Sequence, residues 1–162
     1  MKFSWSPDED HNLYMLLAST RRIVFRLRNR ELAKYNISPA ESGVLLLVSG
    51  LEKNKATPSN LARLLMRQPH GISMLLDRME KKRLVKKKHD LGKKNLVRIE
   101  LTEKGLTKSR QAVKSNGVIK EIICLLNPQQ RKSLERYLEI LWRGSQEKLG
   151  TDLEAIFKDE AV

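Results

Sequence analysis

Apolar residues recur at helical spacing through most of the chain, with one short alternating stretch between residues 84 and 101. The first helix is expected from Pro7 to Lys34, where Leu13, Leu16, Leu17, Thr20, Ile23, Val24 and Leu27 define a buried stripe. A second, Pro39 to about Glu52, carries Val44, Leu45, Leu47, Val48 and Leu51 on more than one face and is predicted to be central to the core. A short helix from Pro58 would bury Leu61, Leu64 and Leu65, and another from Pro69 would bury Ile72, Leu75, Leu76 and Met79. Strands over Leu84–His89 and Leu96–Leu101 flank a turn, Asp90 to Asn95, and Val97, Ile99 and Leu101 alternate with Arg98 and Glu100 as a half-buried strand does. A fifth helix starts at Thr102 and extends toward Leu126. Asn116-Gly117 falls in its middle, where Gly costs roughly 1 kcal/mol against Ala and implies a kink or a close crossing. The sixth starts at Pro128 with Leu134, Tyr137, Leu138, Leu141, Trp142 and Leu149 on one face, and Leu153, Ile156 and Phe157 add a last apolar patch.

All five prolines stand at predicted helix starts, where the missing N–H has no intrahelical acceptor to lose. Ser6-Pro7-Asp8-Glu9 and Ser38-Pro39-Ala40-Glu41 both read as capping boxes, and Asn127-Pro128-Gln129-Gln130 is a third version. Thr57-Pro58 opens the third helix and Gln68-Pro69, the weakest start, the fourth; Thr102-Glu103 opens the fifth without a proline.

Two short helices across the tight turn Met66-Arg67-Gln68, followed by a basic β-ribbon, form the layout of a winged helix-turn-helix. Such a unit places its second helix in the major groove of DNA. Charge strengthens this reading. The 162 residues include 32 Lys and Arg against 19 Asp and Glu, a net charge of +13 and a pI near 10.0. From Arg78 to Lys94, nine basic residues face only Glu80 and Asp90. A polyanion, nucleic acid or an anionic membrane surface, is the expected partner. The single cysteine excludes a disulfide framework and a thiolate metal cluster, which fits a reducing cytosol. The longest apolar run, Val44 to Val48, falls far short of the roughly 20 residues a membrane span needs. Met1 to Trp5 leads into an acidic stretch and not a signal region, so the expectation is a soluble, cytoplasmic protein with no membrane partner.

Base reading is expected from the fourth helix, whose outward face shows His70, Gly71, Ser73, Met74, Asp77 and Arg78. Its first turn offers N–H groups and the positive dipole end to phosphate. Gly71 admits a close backbone approach, and Arg78 has the fork that bonds guanine bidentately. The bland alternative pairs Arg78 with a neighbouring acid or with the wing. The candidate DNA contacts are thus Ser59, Arg67, Pro69, His70, Gly71, Ser73, Met74 and Arg78, with Lys93 and Lys94 at the wing tip. Lys86, Lys87 and Lys88 cannot all face one way in a strand, and part of this run is expected to be a solvated edge. Cys124, flanked by Ile123 and Leu125, is expected as inert packing, with redox sensing the lesser reading. Asp8, Asp10 and His11 are better explained by a capped helix start than by a metal, and His11, His70 and His89 show no ligand spacing. There is no Gly-rich phosphate loop, nucleophile elbow or paired-carboxylate motif, so neither an enzyme nor a cofactor is expected.

Three runs together resemble the MarR family of transcriptional regulators (multiple antibiotic resistance regulators): Pro58-Ser59-Asn60-Leu61-Ala62, then Leu75 through Val85, then Leu101-Thr102-Glu103-Lys104-Gly105. The resemblance extends over essentially the whole chain in helix order. It implies a mainly α fold with a small β-wing, in which a winged helix-turn-helix (37–102) is flanked by dimerisation helices from the N-terminal (1–36) and C-terminal (103–162) segments. It also implies an obligate homodimer and a ligand crevice between dimer and DNA-binding regions. Its pocket residues are not fixed by the sequence; the flank of helix 1 around Leu16 to Ile23 and the start of helix 5 are a guess. Two positions depart from the pattern. Lys93, Lys94 and Asn95 replace the usual acidic residue and arginines of the wing tip, and Arg83 stands where Gly is common. The function expected is a sequence-specific, ligand-responsive dimeric repressor on a pseudo-palindromic double-stranded operator. The alternatives are a nonspecific architectural DNA-binding protein and a protein–protein adaptor that uses the winged fold for docking.

Overall fold

Side-chain caps fix where the helices of the computed structural model begin. Its description covers residues 5–52, 55–89, 96–115 and 117–153. The order is α1 (Glu9–Ala33), α2 (Pro39–Gly50), α3 (Pro58–Leu64), α4 (Pro69–Lys81), β1 (Val85–His89), β2 (Val97–Leu101), α5 (Glu103–Lys114), α6 (Gly117–Cys124) and α7 (Pro128–Leu149). Ser38 with Glu41 and Asn127 with Gln130 form the reciprocal capping boxes of α2 and α7. Thr57 caps α3 and Thr102 caps α5, each hydroxyl accepting one otherwise orphaned N–H. The start of α1 differs from expectation. Asp8, and not Ser6, is the cap, accepting from the N–H groups of Asp10 and His11. The Ser6 hydroxyl accepts from the Asp8 N–H one step earlier, so Pro7 precedes the helix. A carboxylate outcompetes a hydroxyl at the positive end of the dipole.

Three helix ends use a left-handed residue that is not glycine: Asn36 (φ 53°), Met66 (φ 49°) and Arg83 (φ 57°). That conformation costs an L-residue roughly 1–2 kcal/mol. Each is offset by paired hydrogen bonds back to the last helical carbonyls. Met66 and Arg67 donate to Arg63 and Ala62, while Arg83 and Leu84 donate to Glu80 and Met79. The first pair makes the helix-turn-helix corner; the second ends α4 and launches the wing.

The core lies where α2, α3, α4 and the ribbon converge, with Leu32 of α1 and Ala112 of α5 at its upper edge. Ile72, Leu75, Leu76 and Met79 of α4 are buried, as the periodicity predicts, and each such side chain contributes about 1.5–3 kcal/mol. The ribbon is antiparallel, with Val85 opposite Leu101, Lys87 opposite Ile99 and His89 opposite Val97. The Ile99 N–H donates to the Ala56 carbonyl, fastening β2 to the connector before α3.

Helix 5 of the sequence reading is two helices. It breaks after Lys114 and resumes at Gly117. Two α1 side chains bind the break. The Arg28 guanidinium donates to the Ala112 carbonyl (2.6 Å) and to the Ser115 carbonyl and hydroxyl (2.9 and 2.7 Å), while Glu31 accepts from the Val118 N–H (2.9 Å). A cation thus closes the end of α5 and a carboxylate the start of α6, the arrangement both dipoles favour.

The stripe expected to be buried on α1 is open within this chain: Leu13, Leu16, Leu17 and Ile23 are 63, 41, 45 and 60% exposed. The apolar face of α7 is open too, including Tyr137, Leu138, Leu141 and Trp142, and α6 has no buried residue. Cys124 is accordingly a free, exposed thiol and not the packed one its neighbours suggested. These faces are helical and apolar, and they stay exposed among the described residues.

Gly105 opens α5 against the wing, and a Cβ there would lie 2.0 Å from the Leu84 carbonyl oxygen. Gly105→Ala should therefore lower stability by about 2–4 kcal/mol, since backbone must move. Urea unfolding followed by circular dichroism measures this, and a loss below about 1 kcal/mol would show that the backbone yields cheaply.

Glu41 is buried, donated to by Lys82 (2.7 Å) and the Ser38 N–H (2.8 Å). Burial pushes its carboxyl upward, but the hydrogen bonds from Lys82 and Ser38 prevail and hold its pKa below the ordinary value. Stabilisation from a depressed carboxyl is complete above the unfolded pKa of about 4.3 and is lost as pH falls through the folded value. Glu41→Gln should cost about 1–3 kcal/mol at pH 7, with the gap to wild type narrowing below pH ~4. Paired urea titrations across that range test the sign; a gap that widens on acidification would contradict it.

Candidate nucleic-acid interface

The packing of α4 decides which of its residues face outward. With Ile72, Leu75, Leu76 and Met79 turned into the core, the opposite face carries Pro69, His70, Ser73, Met74, Asp77 and Arg78, all exposed. Gln68 gives the helix start no side-chain cap, which leaves the first-turn N–H groups open to an outside acceptor. Beyond its chain neighbours and its own helix backbone, no described atom lies within 4 Å of a hypothetical Cβ on Gly71. No internal packing therefore explains a glycine there. The Ser73 hydroxyl donates back to the Pro69 carbonyl (3.1 Å), an internal bond that a ligand would have to replace. Met74 is 51% exposed. Arg78 is exposed and joins no ion pair among the described residues.

Ser59 and Arg67 are also exposed, on α3 and in the corner after it. With Pro69 they line one wall of a cleft of about 500 Å³, whose other wall is the chain from Leu149 to Leu153. Seven of the expected contact residues are exposed and Gly71 is half-buried; Ser59, Arg67 and Pro69 meet at that one cleft. Lys93 and Lys94 lie outside the described residues.

Sequence reasoning missed how much of the basic cluster is already neutralised. Lys86 and Lys88 share one face of β1 and both pair with Glu100 of β2 (2.9 and 3.0 Å). The two lysine hydrogen bonds hold the Glu100 carboxyl below its ordinary pKa. Lys87, on the other face, pairs with Asp77 and reaches Glu80 (3.9 Å), while its N–H donates to Glu80 (3.0 Å). The hydrogen bond from Lys87 likewise lowers the Asp77 pKa. Lys82 is held by Glu41. Of the basic residues described between 78 and 89, Arg78, Lys81 and Arg83 remain outside these pairs. The signal was present in the sequence only as strand parity: alternate lysines must face opposite sides, and an acid is available on each.

Above the winged module, α1, α6 and α7 enclose an open groove of about 820 Å³, lined by Leu17, Ile123, Leu126, Leu134, Leu138 and Trp142 among others. Of the positions guessed for a ligand crevice, Leu17 borders it and the start of α5 does not. Among the described residues, no helix is long and apolar enough to cross a membrane.

No family model and no curated protein matches the chain. Solved structures do. The organohalide-sensing RdhR-CbdbA1625 transcriptional regulator, in its 2,4-dichlorophenol-bound form, is 31% identical over 86% of each chain, with a TM-score of 0.71. AbsC, a MarR family transcriptional regulator from Streptomyces coelicolor, is 21% identical over 90% of this chain and 99% of its own, with a TM-score of 0.77. A mutant MarR from E. coli, complexed with operator DNA, is 24% identical over 80% of this chain and 92% of its own, with a TM-score of 0.70. The latter two share the fold; the first adds sequence identity across the whole architecture. With its helix-turn-helix, two-stranded wing and flanking helices, the chain belongs to the MarR family of transcriptional regulators.

Proposed function

We propose that this protein is a dimeric, ligand-responsive regulator that binds a pseudo-palindromic operator and represses transcription. The observation that carries this reading is the α4 surface. A helix with its apolar stripe buried presents an N-terminus without a side-chain cap, two hydrogen-bonding side chains (His70 and Ser73) and an exposed Arg78 together. Such a face reads base edges and phosphates in a major groove. Ser59, Arg67 and Pro69 would bind flanking phosphate, with Lys93 and Lys94 reaching from the wing. Of the related solved structures, one MarR is bound to operator DNA and the organohalide sensor to a small aromatic molecule.

The open apolar faces of α1, α6 and α7 support the dimer. Large contiguous apolar patches seldom remain exposed on a monomer. Residues 37–102 then act as the DNA-binding unit, and 1–36 and 103–162 as dimerisation segments. Two-fold symmetry sets the recognition helices about 34–36 Å apart, one turn of DNA. An effector would act by binding one helix spacing better than the other, because a ligand shifts an equilibrium only by its differential affinity.

Fluorescence anisotropy with the protein's upstream intergenic DNA, against scrambled competitor at two salt concentrations, tests this. Wild type should resist competitor on one palindromic fragment. Arg78→Ala should weaken that fragment by about 1–3 kcal/mol and relax its selectivity, whereas Lys94→Ala should lower the salt slope by about one unit on every fragment. Uniform binding that collapses with salt would replace the reading by an architectural one. No binding at either salt would leave the adaptor.

A further inference from the structure

α7 is exposed along almost its whole length, and Gln146 is its one buried residue, 7% exposed. A glutamine is an unexpected choice for that position, since a buried amide needs partners. Its partners are the chain that follows. Gly150 takes a left-handed conformation (φ 61°) and turns the backbone, and Thr151 N–H donates to the Gln146 carbonyl (3.0 Å). Two residues on, the Leu153 N–H donates to Gln146 Oε1 (2.7 Å). Leu153 itself is buried, 6% exposed. Between them, the Asp152 carbonyl accepts from the Arg63 guanidinium of α3 (3.1 Å). The end of α7 is thereby folded back and fastened to the helix that precedes the recognition helix. Three expected DNA-contact residues, Ser59, Arg67 and Pro69, border the cleft that this segment closes.

We propose that Gln146, Leu153 and Arg63 form a clasp that sets the position of the α3–α4 pair relative to α7, making Gln146 a positioning residue for DNA binding. The geometry leaves α7 few other ways to do this. Among the described residues its middle stays exposed, bordering α1 and α6 only across the open groove, so the clasp is its hydrogen-bonded tie to the winged module. Any movement of α7 is passed through Gln146 to α3, and from α3 through the Met66 corner to α4. The effect on DNA rests on the regulator reading; the clasp itself does not, and the two are tested separately.

The clasp is read within one chain. In a Trp5→Phe, Cys124→Ser, Lys81→Cys background, Trp142 serves as donor to a dye on residue 81, and labelled chains are diluted into excess unlabelled protein that carries Trp5→Phe and Trp142→Phe and so contributes no donor. Gln146→Leu keeps the bulk but removes the acceptor, and Leu153→Ala removes the anchor. Both residues lie outside the main core cluster, and Leu153→Ala keeps the question open if Gln146→Leu fails to fold. The expected result is a change in transfer efficiency with a broader donor-lifetime distribution in both variants. The same two substitutions in otherwise wild-type protein should weaken the specific DNA fragment about tenfold, equal to 1.4 kcal/mol, with the salt slope unchanged because no phosphate contact is removed. Unaltered transfer and lifetimes would overturn the clasp. Altered transfer with DNA affinity held within twofold of wild type would overturn the positioning role. If wild type binds no DNA, the regulator reading fails while the transfer measurement still decides whether the clasp exists.

Discussion

The Leu84 carbonyl is the point at which three parts of the molecule are tied. Its residue closes the end of α4 through the N–H bond to the Met79 carbonyl, and its oxygen accepts from the Thr102 N–H (3.1 Å), while the Thr102 hydroxyl donates to the neighbouring Arg83 carbonyl (2.6 Å). Gly105 sits against the Leu84 oxygen, in space that a methyl group would fill. Recognition helix, wing and α5 therefore meet at one residue. A hydroxyl can accept and donate at once, and that of Thr102 also accepts from the Gly105 N–H (3.0 Å), which is why Thr102 both caps α5 and grips the wing. It also explains the run Leu101-Thr102-Glu103-Lys104-Gly105 physically. The threonine supplies both donors and the glycine supplies the absence of a side chain, while Lys104 reaches back to the Lys82 carbonyl (2.8 Å).

From Leu84 outward, the chain is divided by what covers its apolar faces. The winged module covers its own: every residue of the α4 stripe is buried against α2, α3 or the ribbon. The long helices do not, and the Arg28–Glu31 brackets suggest why. They spend α1's inward polar contacts on holding the α5–α6 break, and the rest of α1 faces away. Breaking α5 at Gly117 lets the chain turn so that α6 and α7 stand beside α1 with their apolar sides open. A continuous helix through Leu126 would have carried those side chains off in one direction.

The contrast accounts for what the sequence made legible. The α4 stripe was readable because its partners lie in the same chain and helical period alone selects the buried side. The capping boxes of α2 and α7 were readable because they are local, set by residues three apart. The α1 stripe had the same periodicity and yet lies open, because periodicity tells which face seeks cover and says nothing of whose surface supplies it. Asn116-Gly117 announced a disturbance without announcing a full break, which depends on Arg28 and Glu31, more than eighty residues away. The clasp was invisible for the same reason: nothing in Gln146 or Leu153 points to Arg63. Of the site, the outward face of α4 followed from its inward face, whereas the neutralised lysines depended on acids brought close only by folding.

That neutralisation changes what the charge of the winged module means. A run of nine basic residues suggests a broad positive surface whose binding would be dominated by counterion release and indifferent to sequence. Glu41, Asp77, Glu80 and Glu100 engage four of those lysines within the fold. The ion pairs are mostly exposed, so each adds little to stability. Their larger consequence is geometric: they tether Lys86, Lys87 and Lys88 along the ribbon. Nonspecific attraction is thereby reduced at the base of the wing. A protein that needed only to coat DNA would gain from releasing those lysines. A sequence-independent attraction adds equally to right and wrong sites and leaves their ratio unchanged, so preference for a single site has to come from base contacts, the role proposed above for His70, Ser73 and Arg78.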